Sequence, residues 1–503
     1  VLGSRGLGDV YKRQAVYSEV RPFDFSSYYP LENYVQKVGV PQENVYDIRS
    51  FGAVPENEDL DCAHAINAAI DAAEQTGGTV LIRGGKFTSG AVYLKSGITL
   101  FIAAGSSVHA RKDGKGYPEK ALVYAEDAEN ITITGGGTFN GEGNFFGRKP
   151  IAGANRTKPD TYVDVVKMRS DYRKQLRFAH ECKYGSVLVL KNCKNIKVHD
   201  LVIENSAYWT FRLDQCNGVH ISNFVIHNNR NVANADGIDM VGTSNVVIDH
   251  CFISTADDGI VIKNAVWEGS NTPMRNISVK DCEIISRTNS IKVGTETTHD
   301  ISHILIENCR LFMTDLYPGT VSAIALEAVD GTKLSDVNIK NIYAERCSCP
   351  LFIRLGNRNR AAKVNAQSAR AVEFGQKAEK GGSADKKRYD MKSEITDITV
   401  DGLTAVETEI PIMICGFCQK GKVKRVKNVT LKNIDLSVTK RPFLLDKRLF
   451  IPEYASEYPE ANRFRNLPSY GLFIRHAQNV QISDLVIRNP VSGKKERYIR
   501  DLK

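Results

Sequence analysis

The chain has 503 residues, 42% of them hydrophobic, enough to bury a large core. Its net charge of +9 favours anionic partners, but charge alone does not choose among nucleic acid, acidic lipid and acidic polysaccharide. No run of about 18 apolar residues exists, so no membrane span is expected, and no motif supports a nucleic-acid role.

Val1 to Gln14 lack an apolar stretch and fit nothing downstream. They read as a non-native leader, and no secretory signal is visible there. Residues 61–75 (DCAHAINAAIDAAEQ) place Ala65, Ile66, Ala69, Ile70 and Ala73 on one face, predicting a helix. Asp61 is its expected N-cap and Gly77-Gly78 its stop. Such a helix suits the open end of a repeat stack, where it would cover apolar surface.

After two strand-like segments, Val80-LI and Ile98-TLFIA, a nine-residue pattern begins to recur. It reads Asn195-IKVHDLVI, Gly218-VHISNFVI, Asn245-VVIDHCFI, Asn276-ISVKDCEI, His303-ILIENCRL and Asp336-VNIKNIYA. It returns at Asp397-ITVDGLTA, Asn428-VTLKNIDL and Asn479-VQISDLVI. Alternating apolar residues mark strands too short to hold a core alone, but their inward Ile, Val and Leu form ladders when stacked. The steps from 195 to 336 are 23, 27, 31, 27 and 33 residues, too irregular for leucine-rich or propeller repeats. The prediction is an all-β fold: a single-stranded right-handed parallel β-helix, one domain over 46–490, with a short N-terminal capping helix. Asparagines opening many units are expected to ladder at a coil corner. Segments 144–185 and 358–394, rich in Lys and Arg, read as overhanging loops that could close one end of a groove.

Eleven cysteines are present. Cys251, Cys282 and Cys309 share one place in the repeat and read as stacked core residues. Cys347/Cys349 and Cys415/Cys418 make a poor zinc set, because the first pair is spaced too closely. No metal and no cofactor are expected.

Carboxylates within a repeat are informative. Asp236, in Asn234-ADGID, is followed 21 residues later by the Asp257-Asp258 pair, close to one coil. One rung is about 4.8 Å, so three carboxylates would crowd and at least one should hold a proton. Acid and base carboxylates side by side suit glycoside hydrolysis. Turn caps and calcium ligands are the competing readings.

The segment Asn234 to Lys263 (NADGIDM…ADDGIVIK) resembles glycoside hydrolase family 28, the polygalacturonase family. Asp47-IRSFGAVPE, Gly77-GTVLI, Leu94-KSGITLFIAAGSSV, Asn140-GEGNFF and Asn205-SAYWTF are similar to other stretches of that family. The likeness runs from about 46 to 357. It implies an inverting hydrolase of pectin-like chains, secreted or periplasmic, with Asp257 as general acid and Asp236 and Asp258 holding water. Two departures stand out. Asn289 replaces the family's histidine, and Ala325 and Glu327 replace the Arg and Lys of an R-I-K that grips a uronate carboxylate. Asn234, Lys263, Lys292, Glu327 and Arg354 are the candidate substrate-binding residues, with Lys263, Lys292, Arg354 and also Arg358 as substitutes for the lost cations. Arg358 is a further candidate; His227, His299, Tyr208 and Trp209 read more readily as loop or packing residues. Rhamnose-containing pectin is the leading substrate expectation. A calcium-dependent polysaccharide lyase and a non-catalytic carbohydrate-binding β-helix are the alternatives. The substrate is the only partner expected, the protein acting as a monomer.

Overall fold

The computed structural model describes residues 33–143, 149–150, 178–179, 185–230, 232–313, 319–360, 387–439, 451–464, 467–469, 471–488 and 499–500. The leader at 1–14 and most of 144–185 and 358–394 lie outside them.

Parallel strands dominate, in one sheet of nineteen strands and another of twelve. Six consecutive strands of the twelve-stranded sheet carry the candidate site: β1 (Phe211–Asp214), β2 (Ile238–Val241), β3 (Ile260–Asn264), β4 (Asn289–Thr297), β5 (Thr320–Ala328) and β6 (Cys347–Leu355). Each is parallel to the next. Between any two of them the chain crosses to the larger sheet and returns, so the coils stack.

Register explains the core. Ile238, Ile260, Ile291, Ile324 and Leu351 are successive partners, as are Met240, Ile262, Val293, Leu326 and Ile353. All are buried in one continuous cluster. Each such side chain contributes roughly 1.5–3 kcal/mol on leaving water.

The expected asparagine ladder is present. Asn276 Nδ2 donates to Asn245 Oδ1 at 2.7 Å, and Asn245 Nδ2 to Asn217 Oδ1 at 3.1 Å. Asn195, Asn245 and Asn276 have φ of 52°, 58° and 61°, a left-handed region that Asn tolerates better than most residues.

The helix α1 spans Ala63–Glu74, two residues later than the sequence predicts at its start. Asp61 accepts from Ala63 N at 3.0 Å but also from Gly90 N at 2.8 Å, so its carboxylate joins helix entry to a neighbouring strand. Ala65, Ile66, Ala69, Ile70 and Ala73 pack into the strand core. No helix among the described residues is long and apolar enough to cross a membrane.

Cys251, Cys282 and Cys309 are buried, each thiol donating to a backbone carbonyl. Cys347, Cys349 and Cys415 are buried as well, and burial pushes the Cys347 thiol up to about 12. Among the described cysteines Cys418 alone is partly open. Native-state alkylation read by mass should therefore label Cys418 before the nine buried cysteines among the described residues, which react only after unfolding.

Candidate functional site

Asp236 precedes β2, and Asp257 and Asp258 precede β3. Gly237 N donates to Asp258 O at 3.0 Å and Ile238 N to Gly259 O at 2.9 Å, so the two turns sit one rung apart. The coils approach so closely that a Cβ on Gly237 would lie 2.3 Å from Gly259 O. Glycine at 237 thus lets the carboxylates meet. Oxygens of all three converge within 4.8 Å of one another. They form a recess: Asp236 and Asp258 are 4% and 5% exposed, and Asp257 is half-buried.

Their surroundings differ sharply. Burial, then the nearby charges of Asp239 and Asp257, push the Asp236 carboxyl well above its usual range. Its Oδ1 has no hydrogen-bond partner. Asp258 is equally deep, and burial pushes it upward. The Lys292 ammonium and hydrogen bonds from Thr288 and Asn289 outweigh that and hold it below the ordinary value. Asp258 Oδ1 accepts from Thr288 Oγ1 at 2.5 Å, Asn289 N at 3.0 Å and Asn289 Nδ2 at 2.8 Å, while Oδ2 accepts from Lys292 Nζ at 3.0 Å. Asp257 accepts from Asn234 N at 3.3 Å and Thr288 Oγ1 at 3.1 Å. One recess therefore holds a carboxyl driven toward its neutral form beside one held as an anion. A calcium ion seeking all three carboxylates would have to displace the Lys292 ammonium from Asp258 or sit beside it, against charge repulsion.

The candidate binding residues divide. Asn234 and Lys292 touch the trio directly. Lys263 lies lower, paired with Asp239 at 2.9 Å and stacked 3.7 Å over the Trp209 ring. Glu327 lies 4.0 Å from Lys292, 1% exposed, with neither oxygen hydrogen-bonded. Arg354 is turned elsewhere: it donates to Gly416 O at 2.8 Å and to the Glu453 carbonyl. Arg358 is bound by Asp330 in two hydrogen bonds. Tyr208 and Trp209 are buried and stacked on each other at 5.6 Å. Burial, aided by Arg230, pulls His227 down to about 4, so it is neutral near neutral pH. Tyr458 was not foreseen; its phenol oxygen accepts from Lys292 Nζ at 2.9 Å.

Burial pushes the Glu327 carboxyl from 4.5 up to about 8. The folded state therefore binds this proton more tightly than the unfolded one. The resulting stability is complete below about 4.5 and is lost as pH rises through about 8. Glu327→Gln cannot ionise, so it should raise the melting temperature little near pH 5 and most above pH 8. At roughly 1.4 kcal/mol per pKa unit the gain is a few kcal/mol. Melting curves of both proteins across that range check it.

A family model, glycosyl hydrolases family 28, matches residues 74–349, more than half of the chain. The chain belongs to that family. A polygalacturonase of Persea americana is 28% identical over 48% of this chain and 46% of its own length. An exopolygalacturonase of Arabidopsis thaliana is 25% identical over 61% of this chain and 66% of its own. The chain thus spans about half to two thirds of these curated relatives. Among solved structures, a hyperthermoactive exopolygalacturonase from Thermotoga maritima aligns with TM-score 0.60 and 18% identity, covering 93% of this chain and 96% of that one. A family 28 exopolygalacturonase from Yersinia enterocolitica aligns with TM-score 0.61 and 18% identity, covering 92% of this chain and 78% of that one. Both likenesses concern the fold. The family 28 match contains Asp236, Asp257, Asp258, Asn289, Lys292, Ala325 and Glu327, but neither Arg354 nor Tyr458. At the first departure from the family pattern, Asn289 hydrogen-bonds Asp258 with both its backbone and side-chain nitrogens.

Proposed function

We propose that the protein is a glycoside hydrolase acting on pectin-like polysaccharide or oligosaccharide by inverting general acid/base catalysis. The observation that carries this reading is the convergence of three carboxylates within 4.8 Å of one another, with Lys292 holding Asp258 as an anion at 3.0 Å and burial driving Asp236 toward its neutral form. In this reading Asp257, the most open of the three, donates a proton to the leaving glycosidic oxygen as the bond breaks. Asp236 and Asp258 hold the attacking water, whose proton passes to a carboxylate as its oxygen bonds to the anomeric carbon. Lys292 keeps Asp258 anionic, and Asn234 orients Asp257 through its backbone N–H. Lys263 and Glu327 shape the recess, while Arg354 supports it from behind.

Asp236's raised affinity for protons favours a second assignment, with Asp236 as the donor and the Asp257–Asp258 pair activating water. Family membership and the relatives' names support a substrate among pectic chains. We also infer a single right-handed β-helical domain over 46–490, α1 covering its N-terminal end, and a monomer working outside the cytoplasm. A calcium-dependent lyase would require calcium for activity. A binding-only helix would keep its affinity in Asp257→Asn and show no turnover in the parent. Reducing ends released from pectic glycans, parent against Asp257→Asn, test the main reading.

A further inference from the structure

Ser107, His109 and Glu142 meet four rungs along the larger sheet from the strand Phe252–Thr255, which leads to Asp257. At about 4.8 Å per rung, that is about 19 Å along the stack. In the strand Ser107–Ala110, Val108 and Ala110 enter the core, so Ser107 and His109 share the outward face. Ser107 Oγ lies 2.9 Å from His109 Nε2, and His109 Nδ1 lies 2.7 Å from Glu142 Oε1. A carboxylate only accepts, so Nδ1 carries the ring proton and donates it to Glu142. Nε2 is thereby left to accept from the Ser107 hydroxyl. The turn itself fixes Glu142: its N–H donates to Asn140 Oδ1 at 2.9 Å, while Asn140 Nδ2 donates to the Glu204 carboxylate at 2.8 Å. The imidazole and the carboxylate are 14% and 16% exposed, and Ser107 is half-buried. His109 and Glu142 line a pocket of about 270 Å³ together with Lys86, Thr88, Arg111 and Lys112. Lys86 is the register partner of Ser107, and it shares the Glu58 carboxylate with Lys112. Two ammonium groups on one carboxylate leave a cation to meet an oxyanion.

We propose that Ser107, His109 and Glu142 are nucleophile, base and positioning carboxylate for hydrolysis of small-acyl esters of sugar hydroxyls. The Ser107 oxygen bonds to the carbonyl carbon while its proton passes to His109 Nε2. The bond from that carbon to the sugar oxygen then breaks, and the departing oxygen takes the proton. Water attacks the acyl-serine in turn, its proton passing through Nε2 to Ser107 Oγ as the carboxylic acid leaves. None of these steps uses Asp236, Asp257 or Asp258, so this activity stands apart from cleavage of the glycosidic bond.

The test uses the full chain on p-nitrophenyl acetate and on acetylated pectic oligosaccharides, with released acetate measured. Turnover of both is expected, and Ser107→Ala and His109→Ala should each lower kcat by roughly 10³-fold or more at an unchanged melting temperature. Glu142→Gln should lower kcat while KM holds, because it misorients the imidazole without touching the ester; a merely structural role would move the melting temperature alone. A fluorophosphonate should label Ser107 in the parent, located by peptide mass, which decides the assignment even where a variant fails to fold. Absence of acetate release, or of the label, would overturn the proposal. So would undiminished release in Ser107→Ala, which would mean a bare imidazole acting on an activated ester. Release from p-nitrophenyl acetate but not from the oligosaccharides would overturn the sugar ester as substrate.

Discussion

Asp257→Asn is expected to lower kcat on pectic oligosaccharides by roughly 10²–10⁴, the usual contribution of a positioned proton donor. The same variant should recover most of its rate on an aryl glycoside whose leaving group departs without protonation. Asp258→Asn should not recover there, because water activation is still needed whatever leaves. The contrast follows from the electrostatics of the recess. Asp258 accepts from Thr288, Asn289 and Lys292 and so cannot hold a proton for donation near neutral pH. Asp236 can, since burial and its acidic neighbours favour the neutral form. If Asp236→Asn is the variant rescued by the activated substrate and Asp257→Asn is not, the donor is Asp236 and the assignment reverses. Equal loss on both substrates for all three variants would remove acid catalysis from the mechanism. Lys292→Met should also inactivate, and at a cost in stability of roughly 3–5 kcal/mol, because it strands a buried anion. Asp258 would then rise toward protonation, moving the acid limb of the pH profile upward.

The repeat was legible because each strand carries its own alternation, and a ladder needs nothing beyond neighbouring units to form. Asp236, Asp257 and Asp258 were legible for a related reason: their spacing matches one coil, and Gly237 and Gly259 let successive turns close up. The asparagine corner followed from position alone. What the sequence did not yield depends on contacts between distant segments. Tyr458 sits in an insertion with no repeat of its own, and only the packing of Ala461 and Phe464 on the sheet brings it to Lys292. Arg354 shows the same limit in reverse. Its place after the catalytic coils suggested a sugar ligand, yet its guanidinium holds the carbonyls of Gly416 and Glu453. Asp239 stands in the same motif, yet only packing shows that its charge is the largest acidic influence on Asp236. The recess itself was unforeseeable, since the sequence does not say which insertions fold back over the coils.

Plain polygalacturonan should be a weak substrate or none, with better turnover where the sugar in the recess is neutral or differently held. The two positions where the family pattern has cations explain why. In the family pattern an Arg and a Lys would stand at Ala325 and Glu327. Ala325 offers no charge and is fully buried in an apolar cluster. Glu327 offers the wrong charge when ionised, and with its carboxyl raised to about 8 it is mostly neutral at working pH. Two charge-assisted contacts are thereby lost, each worth roughly 1.5–3 kcal/mol, or orders of magnitude in affinity for a uronate held in that pose. Lys292 is the register partner of Ala325 and the nearest replacement cation. Its ammonium is already shared between Asp258 at 3.0 Å and Tyr458 at 2.9 Å, so binding a uronate would loosen its hold on the Asp258 anion. A neutral Glu327, buried 4.0 Å from Lys292, adds no charge beside the recess, which suits a rhamnose-containing pectin. Reducing ends released from polygalacturonan and from rhamnogalacturonan under equal conditions decide the matter. Vigorous turnover of polygalacturonan alone would mean that Lys292 does take the carboxylate. Lys292→Gln should then raise KM for that polymer as well as lower kcat, whereas a fall in kcat alone would mean that another cation takes the carboxylate.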